Sequence, residues 1–193
     1  MTDYPNWFTK GQANIYFARN LTPYAGQPIK CLQLGAYTGD ATEWLFENIL
    51  THPDAVLYDV DTWGGSDEPA HKNLDWTSVE ERYLERHQSK IDSGKLIRFK
   101  GTTDEFFMSE QGMQQFHFIY VDADHAAASV LKDGLNAIYR VPSGGIIAFD
   151  DYVWTQGKGL WADPKPAVDA IVNCHSNTFD VLDNGLQVWI RKK

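Results

Sequence analysis

The sequence predicts an α/β fold, a mostly parallel sheet with helices on both faces, and three observations carry that expectation. Strand-like apolar runs recur along the chain with amphipathic helical patterns between them. Runs at both ends of this series stop at glycines or acids, the residues expected where an open sheet presents its carboxyl edge to a ligand. The tail departs from the alternation, because two strand-like runs flank Asp183-Asn184-Gly185, a hairpin signal.

Each element follows from its own pattern. Trp7 to Leu21 reads as an amphipathic helix with Trp7, Phe8, Ile15, Tyr16 and Leu21 on one side, closed by Pro23, so residues 1–28 form an N-terminal helical extension. The first strand is Ile29 to Leu34, followed by a helix from Asp40 to Leu50 that spaces Trp44, Leu45, Ile49 and Leu50 helically. Ala55 to Val60 is the second strand. A helix from Val79 to Ile91 follows, with Thr77 and Ser78 as capping candidates. Leu96 to Lys100 and Phe116 to Val121 are the third and fourth strands. Ala126 to Tyr139 repeats the helical spacing with Val130, Leu131, Leu135 and Ile138, stopped by Pro142 and Gly144-Gly145. Gly145 to Phe149 is the fifth strand. Thr178 to Leu182 and Leu186 to Arg191 form the terminal hairpin, which makes the last strand antiparallel.

A chain of 193 residues with 43% hydrophobic composition suits one domain spanning 1–193, and no repeat or linker marks a second. Seventeen basic against twenty-six acidic residues give a net charge of −9, which argues against nucleic acid as a partner. No apolar stretch approaches the roughly 18 residues of a membrane span, and Met1-Thr2-Asp3-Tyr4-Pro5 lacks the parts of a signal peptide. The expectation is a soluble, cytoplasmic protein with no membrane partner, and a homo-oligomer is compatible with it. Cys31 and Cys174 fit neither a disulfide framework nor a metal spacing and are expected as buried thiols.

Leu34-Gly35-Ala36-Tyr37-Thr38-Gly39-Asp40 follows the first strand and opens a helix. Gly35 and Gly39 permit a tight turn close to a ligand, with G-x-x-x-G spacing rather than the pyrophosphate-seating G-x-G-x-x-G. The second strand ends Tyr58-Asp59-Val60-Asp61-Thr62-Trp63, and an acid there can accept hydrogen bonds from ribose hydroxyls; Asp61 is the first choice and Asp59 the second. Gly101-Thr102-Thr103-Asp104, after the third strand, could meet an adenine edge. Two acid clusters follow the fourth and fifth strands, Val121-Asp122-Ala123-Asp124-His125 and Phe149-Asp150-Asp151-Tyr152. On adjacent parallel strands their like charges require a cation, a shared proton or a positively charged ligand.

These elements together resemble a class I S-adenosylmethionine-dependent methyltransferase, closest to the small-molecule O-methyltransferases with a D-x-x-H or D-G-x-H signature and an acidic pair before an aromatic. The resemblance runs from about Ile29 to the C-terminus, with departures at Gln33, where many members carry an acid, and at Ala123, where glycine is usual. It implies a Rossmann-like, doubly wound, three-layer α/β/α fold. It also implies that S-adenosylmethionine is held by Gln33, Gly35, Ala36, Tyr37, Gly39, Asp61, Thr62, Thr102, Thr103, Asp104 and Asp122. In metal-using relatives the matching acids, Asp122, Asp150 and Asp151, would hold a divalent cation suited to oxygen donors, magnesium, beside a small-molecule hydroxyl acceptor. Asp122, Asp124 and His125 are then the catalytic candidates, with proton removal falling to His125 or Asp124.

Plainer roles stand beside these. Asp124 could cap the following helix, His125 could only pack, and Asp150 or Asp151 could brace a loop without any metal. His52, His71, His87, His117 and His175 share no ligand spacing and are read as surface or packing residues. Of seven tryptophans, Trp63, Trp76, Trp154 and Trp161 fall in segments expected to line the site or pin loops, and Thr62 to Asp75 and Trp154 to Lys165 are long enough to act as lids. Two other functions compete. A nicotinamide-dependent oxidoreductase is opposed by the missing G-x-G-x-x-G and the hairpin, and a non-catalytic binding or assembly protein by the presence of Gly35, Gly39 and Asp61.

Overall fold

In the computed structural model, which describes residues 4–66 and 68–193, the apolar runs become seven strands. The first three residues of the N-terminal extension and Asp67 of the 62–75 segment lie outside the described residues. The strands are β1 (Lys30–Leu34), β2 (Val56–Asp61), β3 (Leu96–Lys100), β4 (Phe118–Val121), β5 (Ile146–Phe149), β6 (Phe179–Asn184) and β7 (Val188–Lys192). The helices are α1 (Trp7–Lys10), α2 (Ala13–Leu21), α3 (Asp40–Asn48), α4 (Trp76–Asp92), α5 (Thr103–Met108), α6 (Ala127–Arg140) and α7 (Lys165–Cys174).

The strands lie in the order β3-β2-β1-β4-β5-β7-β6, parallel through the first five and antiparallel at β7, which pairs with β5 on one side and β6 on the other. Alternate side chains feed two cores, as a strand's period of two requires. Leu32, Leu34, Ile119, Val121 and Phe149 pack on one face; Cys31, Leu57, Phe118, Tyr120 and Trp189 pack on the other. The expected α/β class, with its mostly parallel sheet and terminal antiparallel hairpin, is the fold found. The reversal of strand order between β1 and β4 opens the crevice where such sheets bind ligands.

Several local expectations need correction. The Trp7 to Leu21 helix is broken at Gly11-Gln12, with Gln12 in a left-handed conformation (φ 61°). Phe17 and Leu21 are buried in the core while Trp7 stacks on Tyr37 at 4.4 Å, and the break lets the chain satisfy both. The long helix α4 is capped not by Thr77 or Ser78 but by Asp75, whose carboxylate accepts from the Thr77 N–H and the Ser78 hydroxyl. Asn184 ends β6 rather than forming the turn, which passes through Gly185 to Gln187, and a bulge between Val181 and Asp183 bends the strand. Cys31 is buried as expected, whereas Cys174, last in α7 and beyond the packed face that ends at Ile171, is exposed. Among the described residues, no helix is long and apolar enough to cross a membrane.

Candidate functional site at the carboxyl edge of the sheet

The site has two halves. The first is the turn from β1 into α3. Gly35 donates to the Val60 carbonyl at 2.8 Å in a left-handed conformation (φ 89°), and a Cβ built there would lie 2.0 Å from the Asp122 carbonyl oxygen. Glycine is therefore required at this position, and it places the turn directly against the end of β4. Gly39 (φ 81°) is required for a second reason: a Cβ there would lie 2.1 Å from Nε2 of His87. That ring is fully buried against the Gly39 carbonyl at 3.1 Å; burial, helped by the charges of Arg86 and Lys90, pushes its pKa down to about 4.

Asp61 ends β2 beside this turn. One oxygen accepts from the backbone N–H groups of Ala36 and Tyr37 at 2.8 and 2.9 Å, and the other accepts from Trp63 N–H at 2.7 Å. A carboxylate offers about four acceptor positions, so Asp61 braces the turn and keeps one lone pair for a ligand. Asp59, the second choice for that role, is turned wholly into the core. It accepts from Thr42 and Tyr83 at 2.6 and 2.8 Å, and burial pushes its pKa up to about 7. Gln33 stands in register with Asp59 and donates to the Gly35 carbonyl at 2.9 Å. A neutral amide at 33 spares the buried Asp59 a second carboxylate, which accounts for the sequence departure there.

Other expected cofactor contacts are engaged locally. The Thr62 hydroxyl accepts from Gly64 N–H at 3.1 Å. Thr102 forms a capping box with Glu105 at the start of α5, and Asp104 pairs with Lys132 of α6. Asp133 of α6 is a buried acid pushed up to about 6 chiefly by desolvation. Over the turn, Tyr37 (φ 49°) carries an aromatic cover of Trp7, Trp76 and Tyr4, with ring separations of 4.4, 6.1 and 6.3 Å.

The second half lies past β4 and β5. Asp124 does not take the expected cap position, which falls to Ala126 without a side-chain cap bond; it braces the turn into α6, accepting from Ala126 N–H at 3.3 Å and from the Ser129 hydroxyl at 2.5 Å. Asp150 is also committed: its oxygens receive the Tyr120 hydroxyl, Gln187 Nε2 at 2.8 Å and Asp151 N–H at 2.8 Å. Gln187 is itself held by Trp189 Nε1 at 2.8 Å, so the hairpin strand β7 braces the acid. Asp151 leaves the strand in a left-handed conformation (φ 52°), and its carboxylate lies 2.8 Å from His125 Nε2. His125 Nδ1 lies 2.9 Å from Glu68, an ion pair too bent for a straight hydrogen bond. Asp122, His125 and Asp151 each present a donor atom, and these atoms lie within 4.8 Å of one another.

The electrostatics follow from this geometry. Burial together with Asp150 and Asp151 raises the Asp122 carboxyl well above its usual range; burial and Asp151 push Asp150 up to about 6. Burial opposes charge on His125, yet Asp151 and Glu68 win and push it up to about 11. Burial likewise opposes charge on Glu68, and contact with His125 holds its carboxyl below the usual value. Two carboxylates and an imidazole this close fit a divalent cation, and the glycine turn with the spare acceptor of Asp61 fits a nucleoside cofactor.

Sequence reasoning missed Glu68, Tyr120, Gln187 and Trp7. Glu68 sits in an irregular segment without periodicity, while Tyr120 and Gln187 reach Asp150 only through strand neighbours distant in sequence. Of the tryptophans, Trp154 packs on His125 at 4.7 Å and Trp161 is exposed. Trp63 takes the plainer of its two expected roles: buried beneath the Arg98 guanidinium at 4.4 Å, it pins the glycine turn through its indole N–H, which donates to the Tyr37 carbonyl at 2.9 Å.

A family profile described as a methyltransferase domain matches residues 32–152, which spans β1 to the acidic pair and more than half of the chain. No curated protein matches the sequence. Solved structures do match in fold. The O-methyltransferase TomG of Streptomyces achromogenes, involved in tomaymycin synthesis and solved with S-adenosylmethionine, superposes with a TM-score of 0.66 at 15% identity, covering 100% of this chain and 83% of that one. The N-methyltransferase NodS of Bradyrhizobium japonicum gives 0.62 at 13% identity over 100% and 99% of the two chains. MycE of the mycinamycin biosynthetic pathway, solved with magnesium and S-adenosylhomocysteine, gives 0.64 at 14% identity, and this chain spans 98% of its own length but half of MycE. Strand order, the glycine turn and the profile match converge on one conclusion: the chain belongs to the methyltransferase-domain family and has the class I S-adenosylmethionine-dependent fold.

Proposed function

We propose that the protein transfers the methyl group of S-adenosylmethionine to a hydroxyl oxygen of a small molecule. The single observation that carries this reading is the contact of the two halves, in which the Gly35 backbone abuts the Asp122 carbonyl and leaves the cofactor turn beside the acid cluster. Gly35, Ala36, Tyr37 and Gly39 form the bed for the amino-acid end of the cofactor, and the remaining lone pair of Asp61 takes one ribose hydroxyl. The start of α5, with Thr102, Thr103 and Asp104, borders the adenine.

In the transfer, the acceptor oxygen forms a bond to the methyl carbon as the carbon–sulfur bond breaks, and the hydroxyl proton must leave. Asp122, at the seam between the halves, orients that hydroxyl and receives its proton. Asp124, committed to the turn into α6, is not needed for this. A divalent cation held by Asp122 and Asp151 would lower the pKa of the hydroxyl it touches. The exposed Val153, Leu160 and Trp161, with Trp154, give the acceptor an apolar rim.

The test is calorimetry with S-adenosylhomocysteine followed by incubation with S-adenosylmethionine and a panel of hydroxylated and amine acceptors. Cofactor binding and a product heavier by one methyl on oxygen are expected. Failure to bind S-adenosylhomocysteine sinks the reading, and methylation on nitrogen alone overturns the choice of acceptor atom.

A further inference from the structure

The two long helices, α4 on one face of the sheet and α6 on the other, present different surfaces. Every exposed position of α4 is polar or charged, the ordinary pattern of a helix that meets water. On α6 the exposed positions are Ala128, Leu131, Lys132, Leu135 and Tyr139, and only Lys132 carries a charge. Leu131, Leu135 and Tyr139 recur every fourth residue and so form one ridge along the helix.

The apolar surface continues onto the neighbouring segment. Asp104, at the start of α5, pairs with Lys132, and the Arg140 guanidinium donates to the carbonyls of Phe107 and Gly112. Helix α5 therefore lies along α6, and the exposed Met108 and Met113 fall near the Tyr139 end. Five of the eleven large apolar side chains exposed among the described residues thus share one surface. Single exposed apolar residues need no explanation, but a contiguous set marks an interaction site.

We propose that this surface is the interface of a homodimer, in which α6 packs antiparallel on α6 of a second copy about a two-fold axis at Leu135. That axis sets Leu135 on its own equivalent and Leu131 on the partner's Tyr139, so the ridge is complementary to itself. The charges agree with it. Exposed Glu110 lies between the two methionines at the Tyr139 end, Lys132 lies at the Leu131 end, and the axis brings Glu110 to the partner's Lys132. A lipid surface fits worse, because the chain carries a net charge of −9 and the ridge offers one lysine. The 14 residues of α6 span about 21 Å, and α5 roughly doubles the width, which falls short of the ~800 Å2 each partner gives to a standard interface. The dimer is therefore reversible rather than obligate. Helix α6 starts past the acid cluster and ends at Arg140, whose carbonyl accepts from Phe116 N–H at the opposite edge of the sheet. Antiparallel pairing consequently leaves both carboxyl-edge sites open and turns them in opposite directions.

The test is sedimentation velocity on the full chain over a range of concentrations, with thermal unfolding measured on every variant. Wild type is expected to pass from monomer to dimer in the micromolar range. Leu135→Glu sets two carboxylates on the axis and should weaken the dimer by about a hundredfold or more at unchanged Tm. Glu110→Lys and Lys132→Glu should each weaken it by roughly three- to tenfold, and the double exchange should restore it. Leu135→Cys in a Cys174→Ser background, which removes the exposed native thiol, should give a disulfide-linked dimer with oxidised glutathione. A wild type still monomeric at about 500 μM overturns the proposal, and one that instead pellets with phosphatidylcholine–phosphatidylglycerol vesicles gives the face to a lipid surface. A dimer that survives Leu135→Glu lies elsewhere on the molecule and overturns it as well. A dimer that neither cross-links through Leu135→Cys nor recovers in the double exchange overturns the antiparallel arrangement.

Discussion

The two halves of the site answer negative charge in opposite ways. At the end of β2, Asp61 is satisfied by three backbone N–H groups, those of Ala36, Tyr37 and Trp63. At the ends of β4 and β5, Asp122 and Asp151 face a side chain, His125, which a loop acid holds from behind. The histidines divide in the same manner: His87, under the glycine turn, is kept neutral, and His125, among carboxylates, is kept charged. The half at the glycine turn is built from main chain and is fixed once the sheet forms. The half past β4 and β5 is built from side chains on loops and can change with them.

The strongest way to break this comparison is Gly35→Ala. The added Cβ meets the Asp122 carbonyl at 2.0 Å on a left-handed backbone, so both halves must shift. The expected cost is on the order of 3–5 kcal/mol and a fall in Tm of about 10 °C, with S-adenosylhomocysteine binding lost. Calorimetry reads both, and a variant with wild-type Tm would show that the halves are not in hard contact.

A smaller effect sharpens the contrast. Asp61→Asn leaves backbone donors facing an amide that itself donates, costing about 2 kcal/mol. Asp151→Asn, at a side chain 34% exposed, should cost less than about 1 kcal/mol. Chemical denaturation of the two variants side by side should give that order, and the reverse order would undo the claim that main-chain satisfaction is the stiffer arrangement.

The remaining effect is in pH dependence, and it appears only away from neutral pH. The folded pKa of His87 is depressed to about 4, so the unfolded chain binds a proton first as pH falls below about 6.5. The His87 contribution to stability is therefore whole above that pH and lost between about 6.5 and 4, by up to roughly 3 kcal/mol. His87→Gln should gain on wild type across that window. His125 has the opposite sign: raised to about 11, it stabilises fully below about 6.5 and loses that contribution as pH rises toward 11. His125→Gln should thus recover relative to wild type in the alkaline range, and parallel stability curves for both variants would refute the division of the two histidines.

The sheet was legible because its signal is repeated: the strands are short, mostly apolar and bounded by glycine, acid or proline. The glycine turn was legible for a similar reason, since Gly35 and Gly39 are needed by backbone geometry that sequence spacing records. The half past β4 and β5 was legible only in which acids reach the edge. Which acids are free depends on partners far along the chain, as Asp150 depends on Gln187 and Tyr120 and His125 on Glu68. The left-handed Gln12 that splits the first helix is equally silent in sequence, because the tertiary demand to seat both Trp7 and Phe17 set it.

The contact between Gly35 and the Asp122 carbonyl also bears on how such a protein can diversify. On the proposed reaction, the direct contact of the Gly35 backbone with the Asp122 carbonyl means that the distance a methyl group crosses is set there by two main-chain segments rather than by rotamers. The loops at 62–75 and 153–164 can then be replaced to admit acceptors of new shape while the reacting atoms stay in line. Substrate range and transfer geometry become separately inheritable, the first written in loop composition and the second in a glycine.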